Sequence, residues 1–222
     1  AYRWQSKLIL VSTAGLLLLS FLFFQCYEFR LPQWAELSGW ERLNAAAFQA
    51  VTPRTAGFNS VDLTLLSEPG KLVTILLMLV GGSPGSTAGG FKVTTLAVLL
   101  LSARAVFFRR GSPSCFGRRF QDEALRSASA IFLMYLVFFL LGGTLICCID
   151  GVPLLDALFE SASAIGTVGL SICGTPGLSL PSHLILTFLM YVGRVGGLTM
   201  IYAVTSGSPV SSQYPQERVT VG

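Results

Sequence analysis

Two short strings recur along this chain of 222 residues: TAGFN, from Thr55 to Asn59, and TVGLS, from Thr167 to Ser171. Each sets a glycine two residues after a threonine, and Gly57 and Gly169 are 112 residues apart. Such a turn suits the coordination of a dehydrated cation. An ion leaving water needs its hydration shell replaced by oxygens, and rings of backbone carbonyls do this in ion pores. Glycine permits the dihedrals that aim successive carbonyls at one axis. A short helix before the turn points its negative carboxyl end at the ion. The alternative is a pair of ordinary glycine caps on helices. Two turns in register, each after a short apolar helix, favour the ion-binding arrangement.

Other chemistries find little support. His183 is the single histidine, and Cys26, Cys115, Cys147, Cys148 and Cys173 form no CxxC pair, so a zinc site lacks ligands. No Ser/His/Asp set, HExxH or pair of intramembrane carboxylates suggests an enzyme. GGSPGSTAGGFK, from Gly81 to Lys92, is rich in glycine, but GxxxxGK[ST] is absent: Phe91 follows Gly90 and Val93 follows Lys92. The formal net charge of +4 comes with no basic face of a soluble fold, so a nucleic-acid partner is not indicated.

The elements that hold these turns read as membrane helices. Only 12% of the residues are charged and 52% are hydrophobic; soluble domains carry about 25% charged residues. Four long apolar segments stand out: Leu8 to Phe24, about Lys71 to Phe108, Ala130 to Ile149, and Leu184 to Val204. The first follows Arg3 and Lys7 like a signal peptide, but no small-x-small cleavage site follows it, so it reads as a retained span. As one helix the second would reach ~57 Å, too long for a hydrocarbon core of ~30 Å. Its glycine-rich middle should split it into two half-helices around an intramembrane loop. Irregular backbone at that depth must be buried in protein or line a watery cavity. Trp40 to Thr52 and Pro153 to Ile165 are too short to cross and too apolar for water, which fits re-entrant pore helices.

Charge sets the topology. Arg104, Arg109, Arg110, Arg118, Arg119 and Arg126 mark the connection after the second segment as cytoplasmic. Glu28, Glu36, Glu41, Asp62, Glu68, Asp150, Asp156 and Glu160 then collect outside, where an acidic mouth concentrates cations.

The turns belong to a larger repeat. Twenty-four residues beyond Gly57 and Gly169 stand Gly81, in MLVGGSPGS, and Gly193, in MYVGRVGG. Met78 and Met190 are in register, as are Val80 and Val192; Phe48-Gln49 matches Phe159-Glu160 with an offset of one. Each unit reads as crossing helix, short helix, TxG turn, crossing helix. The chain divides into a first unit over 1–110, with a broken second membrane helix, a cytoplasmic basic linker over 111–127, and a second unit with a cytoplasmic tail over 128–222. The fold class is an all-α membrane protein of two tandem units.

TPRTAGFNSVDL with GGSPGSTAGGFK, followed by GTVGLS and YVGRVGG, closely resembles the Trk/Ktr/HKT potassium uptake family, and the final SSQYPQERVTVG resembles the carboxyl terminus of the bacterial Ktr membrane subunit. The resemblance covers nearly the whole chain. It implies a pore of four membrane-pore-membrane repeats, of which this chain supplies the third and fourth. It places Thr55, Ala56, Gly57 and Phe58 in one quadrant of a potassium selectivity filter, and Thr167, Val168, Gly169 and Leu170 in another. Gly81, Gly82, Ser83, Pro84, Gly85, Ser86, Thr87, Ala88, Gly89 and Gly90 become a gate below the filter; the alternative is a passive helix break. K+ is then the transported ion, with no cofactor. The implied partners are an amino-terminal half or further copies completing the ring, a second full subunit in a homodimer, and a cytosolic nucleotide-binding regulatory ring. The implied location is a bacterial inner membrane, crossed several times and surrounded by lipid.

Two arginines enter this expectation. Arg194, ten residues into the fourth segment, falls near the middle of the hydrocarbon core, where a charge marks function or a partner. It is expected to line the pore below the filter, repel resting cations and position the loop; the alternative is a structural bond to loop carbonyls. Arg54 abuts the first filter turn and is expected to staple it, with Glu160 of the second unit as partner.

Overall fold

The computed structural model describes residues 4–108, 114–115, 118–120, 122–197 and 199. Seven α-helices carry it: α1 (Trp4–Cys26), α2 (Gly39–Val51), α3 (Glu68–Leu79), α4 (Val93–Phe107), α5 (Asp122–Asp150), α6 (Leu154–Ile165) and α7 (Leu180–Val195). α1 and α5 are long and apolar enough to cross a membrane; α4 and α7 are shorter apolar helices.

Local chemistry explains the helix starts. Ser38 and Glu41 form a reciprocal capping box at α2, with the Ser38 amide donating to Glu41 Oε2 at 2.8 Å. Ser67 caps α3 by accepting from the Gly70 amide, and Pro69 occupies the first turn, where its missing N–H costs nothing. Ser179 and Pro181 stand at the same places before α7, 112 residues on. A buried carboxylate completes the α3 start: Glu28 accepts from the Ser67 amide at 2.9 Å and from the Ser67 hydroxyl. Asp150, at the end of α5, accepts from the Ser179 amide at 3.1 Å. The end of each first long helix is thereby tied to the start of the helix beyond its turn.

The broken second segment is present as expected. α3 ends at Leu79, Val80 turns extended, and α4 begins at Val93. Between them the chain folds back on itself, with the Gly81 amide donating to Phe91 O and the Phe91 amide to Leu79 O.

Three boundaries differ from the sequence reading. α5 begins at Asp122, inside the expected linker over 111–127, because the polar stretch before Ala130 continues the helix. That linker also holds an antiparallel pair of two-residue strands, β1 (Ser114–Cys115) and β2 (Arg118–Arg119). The fourth segment is helical from Leu180 to Val195 and is interrupted at Gly196, which takes φ +85°, a left-handed value; Gly197 and Thr199 beyond it are again helical. Arg194 therefore sits in the last turn of α7, beside this interruption. The end of that segment at Val204 and the string over 211–222 lie outside the described residues.

Packing brings the two halves together. α6 is wedged among α3, α5 and α7, while α1 backs α2 and α4. Gly142 and Gly143 let α5 approach its neighbours: a methyl group on them would come within 2.6 Å of Leu189 and of Leu158, respectively. Small residues at such contacts are how membrane helices gain packing energy without a hydrophobic drive. At the seam between the halves, Lys71 on α3 bonds Asp156 on α6 at 2.7 Å.

Candidate ion pathway

The two glycine turns emerge directly from the carboxyl ends of α2 and α6. Their backbones match. Among the described residues, Thr55 (φ +67°) and Thr167 (φ +51°) are the non-glycine positions in the left-handed region, and each is followed two residues later by a positive-φ glycine, Gly57 (+74°) and Gly169 (+94°). A β-branched residue there is a true outlier, and such strain persists only where the surroundings impose it.

The imposing groups are hydroxyls at the helix ends. Thr52 Oγ1 accepts from the Phe58 amide at 3.0 Å and donates to Phe58 O at 2.6 Å, bridging the first turn. Ser163 Oγ accepts from the Gly169 amide at 3.1 Å across the second. These two residues are missing from the sequence reading. The signal was available, since Thr52 and Ser163 share the offset of one that relates Phe48 to Phe159.

The turns lie against each other. A methyl group on Gly57 would sit 1.9 Å from the Val168 carbonyl oxygen, so only hydrogen fits. A methyl group on Gly169 would meet nothing within 4 Å. The equivalent side chains differ likewise: Leu170 is 1% exposed and Phe58 is 70% exposed.

Glu160 is buried behind the second turn and holds the chain beyond it. Its Oε1 accepts from the Ser171 hydroxyl at 2.7 Å and from the Ile172 and Cys173 amides at 2.8 and 3.1 Å. Arg54 does not reach it. Arg54 Nη2 instead donates to Gly81 O at 3.1 Å, so the expected Arg54–Glu160 staple is replaced by a bond from the first turn to the loop. The reason is reach: Glu160 is already occupied by its own exit strand, whereas the loop passes beside Arg54.

The intramembrane loop closes underneath. The Gly89 amide donates to Thr167 Oγ1 at 3.0 Å, and the Gly90 amide to Ile165 O at 3.1 Å. Arg194 Nη1 donates to Thr87 O. Gly82, Ser83, Pro84 and Gly85 form the outer bend, closed by the Ser86 amide donating to Ser83 O at 3.0 Å. A cavity of about 560 Å³ opens between this loop, α5 and the end of α7, lined by Pro84, Ser86, Thr87, Lys92, Tyr135 and Arg194 among others. Outside the spans, the Cys173 thiol is pushed up to about 11 by burial and then by the nearby Glu160 and Asp156 carboxylates.

The arrangement can bind a desolvated cation through carbonyls and can obstruct the space below; it holds no assembled set for covalent chemistry among the described residues. The family of cation transport proteins described as TrkH matches residues 5–213. The chain is 35% identical to the potassium/sodium uptake protein NtpJ of Enterococcus hirae, over 98% of this chain and 50% of that protein. It is 36% identical to the Ktr system potassium uptake protein B of Bacillus subtilis, over 82% of this chain and 41% of that protein. The crystal structure of the potassium transporter TrkH from Vibrio parahaemolyticus superposes with a TM-score of 0.68 at 20% identity, covering 90% of this chain and 44% of that one. The chain belongs to the TrkH family of cation transport proteins, a family of membrane transporters and not of enzymes. It spans about half the length of these relatives.

Proposed function

We propose that this chain supplies two of four quadrants of a potassium-translocating pore, as two tandem membrane-pore-membrane units over 1–110 and 128–222 joined by a cytoplasmic basic linker. One observation carries the reading: two threonine-glycine turns with the same left-handed pattern, each at the end of a short helix, abut at Gly57 and Val168. Carbonyls of Thr55, Ala56, Gly57 and Phe58 and of Thr167, Val168, Gly169 and Leu170 replace the hydration shell of K+. The carboxyl ends of α2 and α6 add negative potential. Arg54 and Glu160 brace the turns. The loop over Gly81 to Gly90 and Arg194 gate the space below, with the loop's bonds to Ile165 and Thr167 coupling gate to filter. Relatives named for potassium uptake support the choice of ion.

The pore is completed by an amino-terminal half or further copies. The full subunit works as a homodimer in a plasma membrane, crossed several times, beneath which a cytosolic nucleotide-binding subunit docks. The second reading is a structural half that does not conduct. It is favoured by the open side of Gly169 and the exposed Phe58, which two quadrants leave uncovered.

Rubidium-86 uptake by liposomes holding this chain, with and without an amino-terminal half, separates the readings. Uptake only with both halves, lost in Gly57→Ser or Gly169→Ser, supports the half-pore. Uptake by the chain alone means that copies of it close the ring. No selective uptake in either case leaves the structural reading.

A further inference from the structure

We propose that Lys92 is a latch of the intramembrane loop: its ammonium, with the Arg194 guanidinium, holds three consecutive loop carbonyls, and the loop opens when these bonds release. The inference rests on reading the loop as a gate. Lys92 lies just past the glycine-rich segment, at the residue that precedes α4. Its Nζ folds back to donate to Ala88 O at 2.7 Å and to Ser86 O at 3.2 Å. Arg194, from the other unit, takes Thr87 O between them. Carbonyls 86, 87 and 88 thus each face a cation, supplied from two elements 102 residues apart in sequence.

Electrostatics leaves these carbonyls as the main reason for a charge at this position. Lys92 stands at the amino end of α4, where the helix dipole disfavours a cation. Lys92 and Arg194 line the same cavity, and none of its described lining residues is acidic, so the two charges repel without a counter-ion. Both unfavourable effects are offset only while the loop is folded against them, because bonds from ionised donors to carbonyls are stronger than those between neutral groups. A folded loop therefore keeps the two cations close, and their repulsion helps an opening loop to stay open. Other ties, at Gly81, Gly89 and Gly90, fasten the loop's roots to Arg54 and the second filter turn. The latch acts on its free middle.

The test uses the pore completed with its amino-terminal half in liposomes, with two readouts: rubidium-86 uptake, and labelling of Ala88→Cys, half-buried in the folded loop, by a membrane-impermeant thiol reagent from the cytoplasmic face. Lys92→Met should raise both, by roughly tenfold in the open-to-closed ratio, the net of two lost charge-assisted bonds and the relieved repulsion from Arg194. Lys92→Arg should stay near the parent, because a cation remains to hold the carbonyls. The labelling readout also works on this chain alone, so it survives a failure of ring assembly. If Arg194→Ala raises both readouts while Lys92→Met and Lys92→Gln match the parent, the latch is overturned and the gate stands. If none of the three variants alters uptake or labelling, the gate reading itself falls, and the latch with it.

Discussion

At the scale of single residues, the two turn glycines, Gly57 and Gly169, are not equivalent. Gly57 is required twice: its φ of +74° is left-handed, and the Val168 carbonyl fills the space of a side chain. Gly169 is required by its φ of +94° alone. Left-handed backbone costs a residue with a Cβ about 1–2 kcal/mol, and the clash adds to that at Gly57. Gly57→Ala should therefore lower both potassium selectivity and the yield of folded protein, whereas Gly169→Ala should lower selectivity with yield nearly kept; competitive rubidium and sodium uptake beside detergent-extracted yield measures this. Cys173 offers a probe of the second turn that needs no transport. A thiol raised to about 11 stays neutral at physiological pH, so its alkylation should keep rising with pH well past the plateau of an ordinary thiol. Glu160→Gln removes a neighbouring negative charge and should move that rise to lower pH, read by mass spectrometry of the labelled peptide. An unchanged profile would mean that burial alone sets the thiol.

At the scale of elements, the outer ends are fastened by polar groups. Glu28 is fully buried yet has three donors around it: the Ser67 amide and hydroxyl and, at 3.4 Å, the Trp34 indole. It seats the start of α3 on the end of α1, and Gly70 stays a glycine because a methyl group would sit 2.4 Å from Glu28 Oε2. Lys71 and Asp156 join α3 to α6 across the two units, with side chains 11% and 17% exposed. Breaking such a pair leaves a poorly solvated charge. Lys71→Met should cost about 1–3 kcal/mol of stability after allowance for partial solvation. The double variant Lys71→Met with Asp156→Leu should recover part of the loss, and thermal unfolding in detergent checks the coupling.

At the scale of the whole molecule, the two proposed units meet through the glycine turns and the loop. The loop comes from the first unit, yet its amides bond Ile165 and Thr167 of the second, and its carbonyl at Thr87 is held by Arg194 of the second. Displacing the loop thus disturbs the second turn more than the first. We expect variants that free the loop to weaken selectivity contributed by Thr167 to Leu170, while the first turn, tied by Thr52, keeps its geometry. Accessibility of cysteines placed at Ala56 and at Leu170 would report this, with a rise confined to Leu170.

The sequence by itself determined the membrane character, the two short helices, the break in the second segment and both glycine turns. Each of these follows from composition, local propensity or a repeat, all of which act within a few turns of chain. Tertiary structure alone decided what the charged side chains touch. Arg54 was expected at Glu160 and bonds Gly81 instead; Arg194, in the last turn of α7, reaches the loop carbonyl of Thr87. Lys92 read only as a mismatch to a nucleotide loop, and its fold-back onto Ala88 needed the loop's path to be seen. Long flexible cations choose among the carbonyls brought within reach, here 4, 27 and 107 residues away along the chain, and that choice is set by packing that no local pattern encodes.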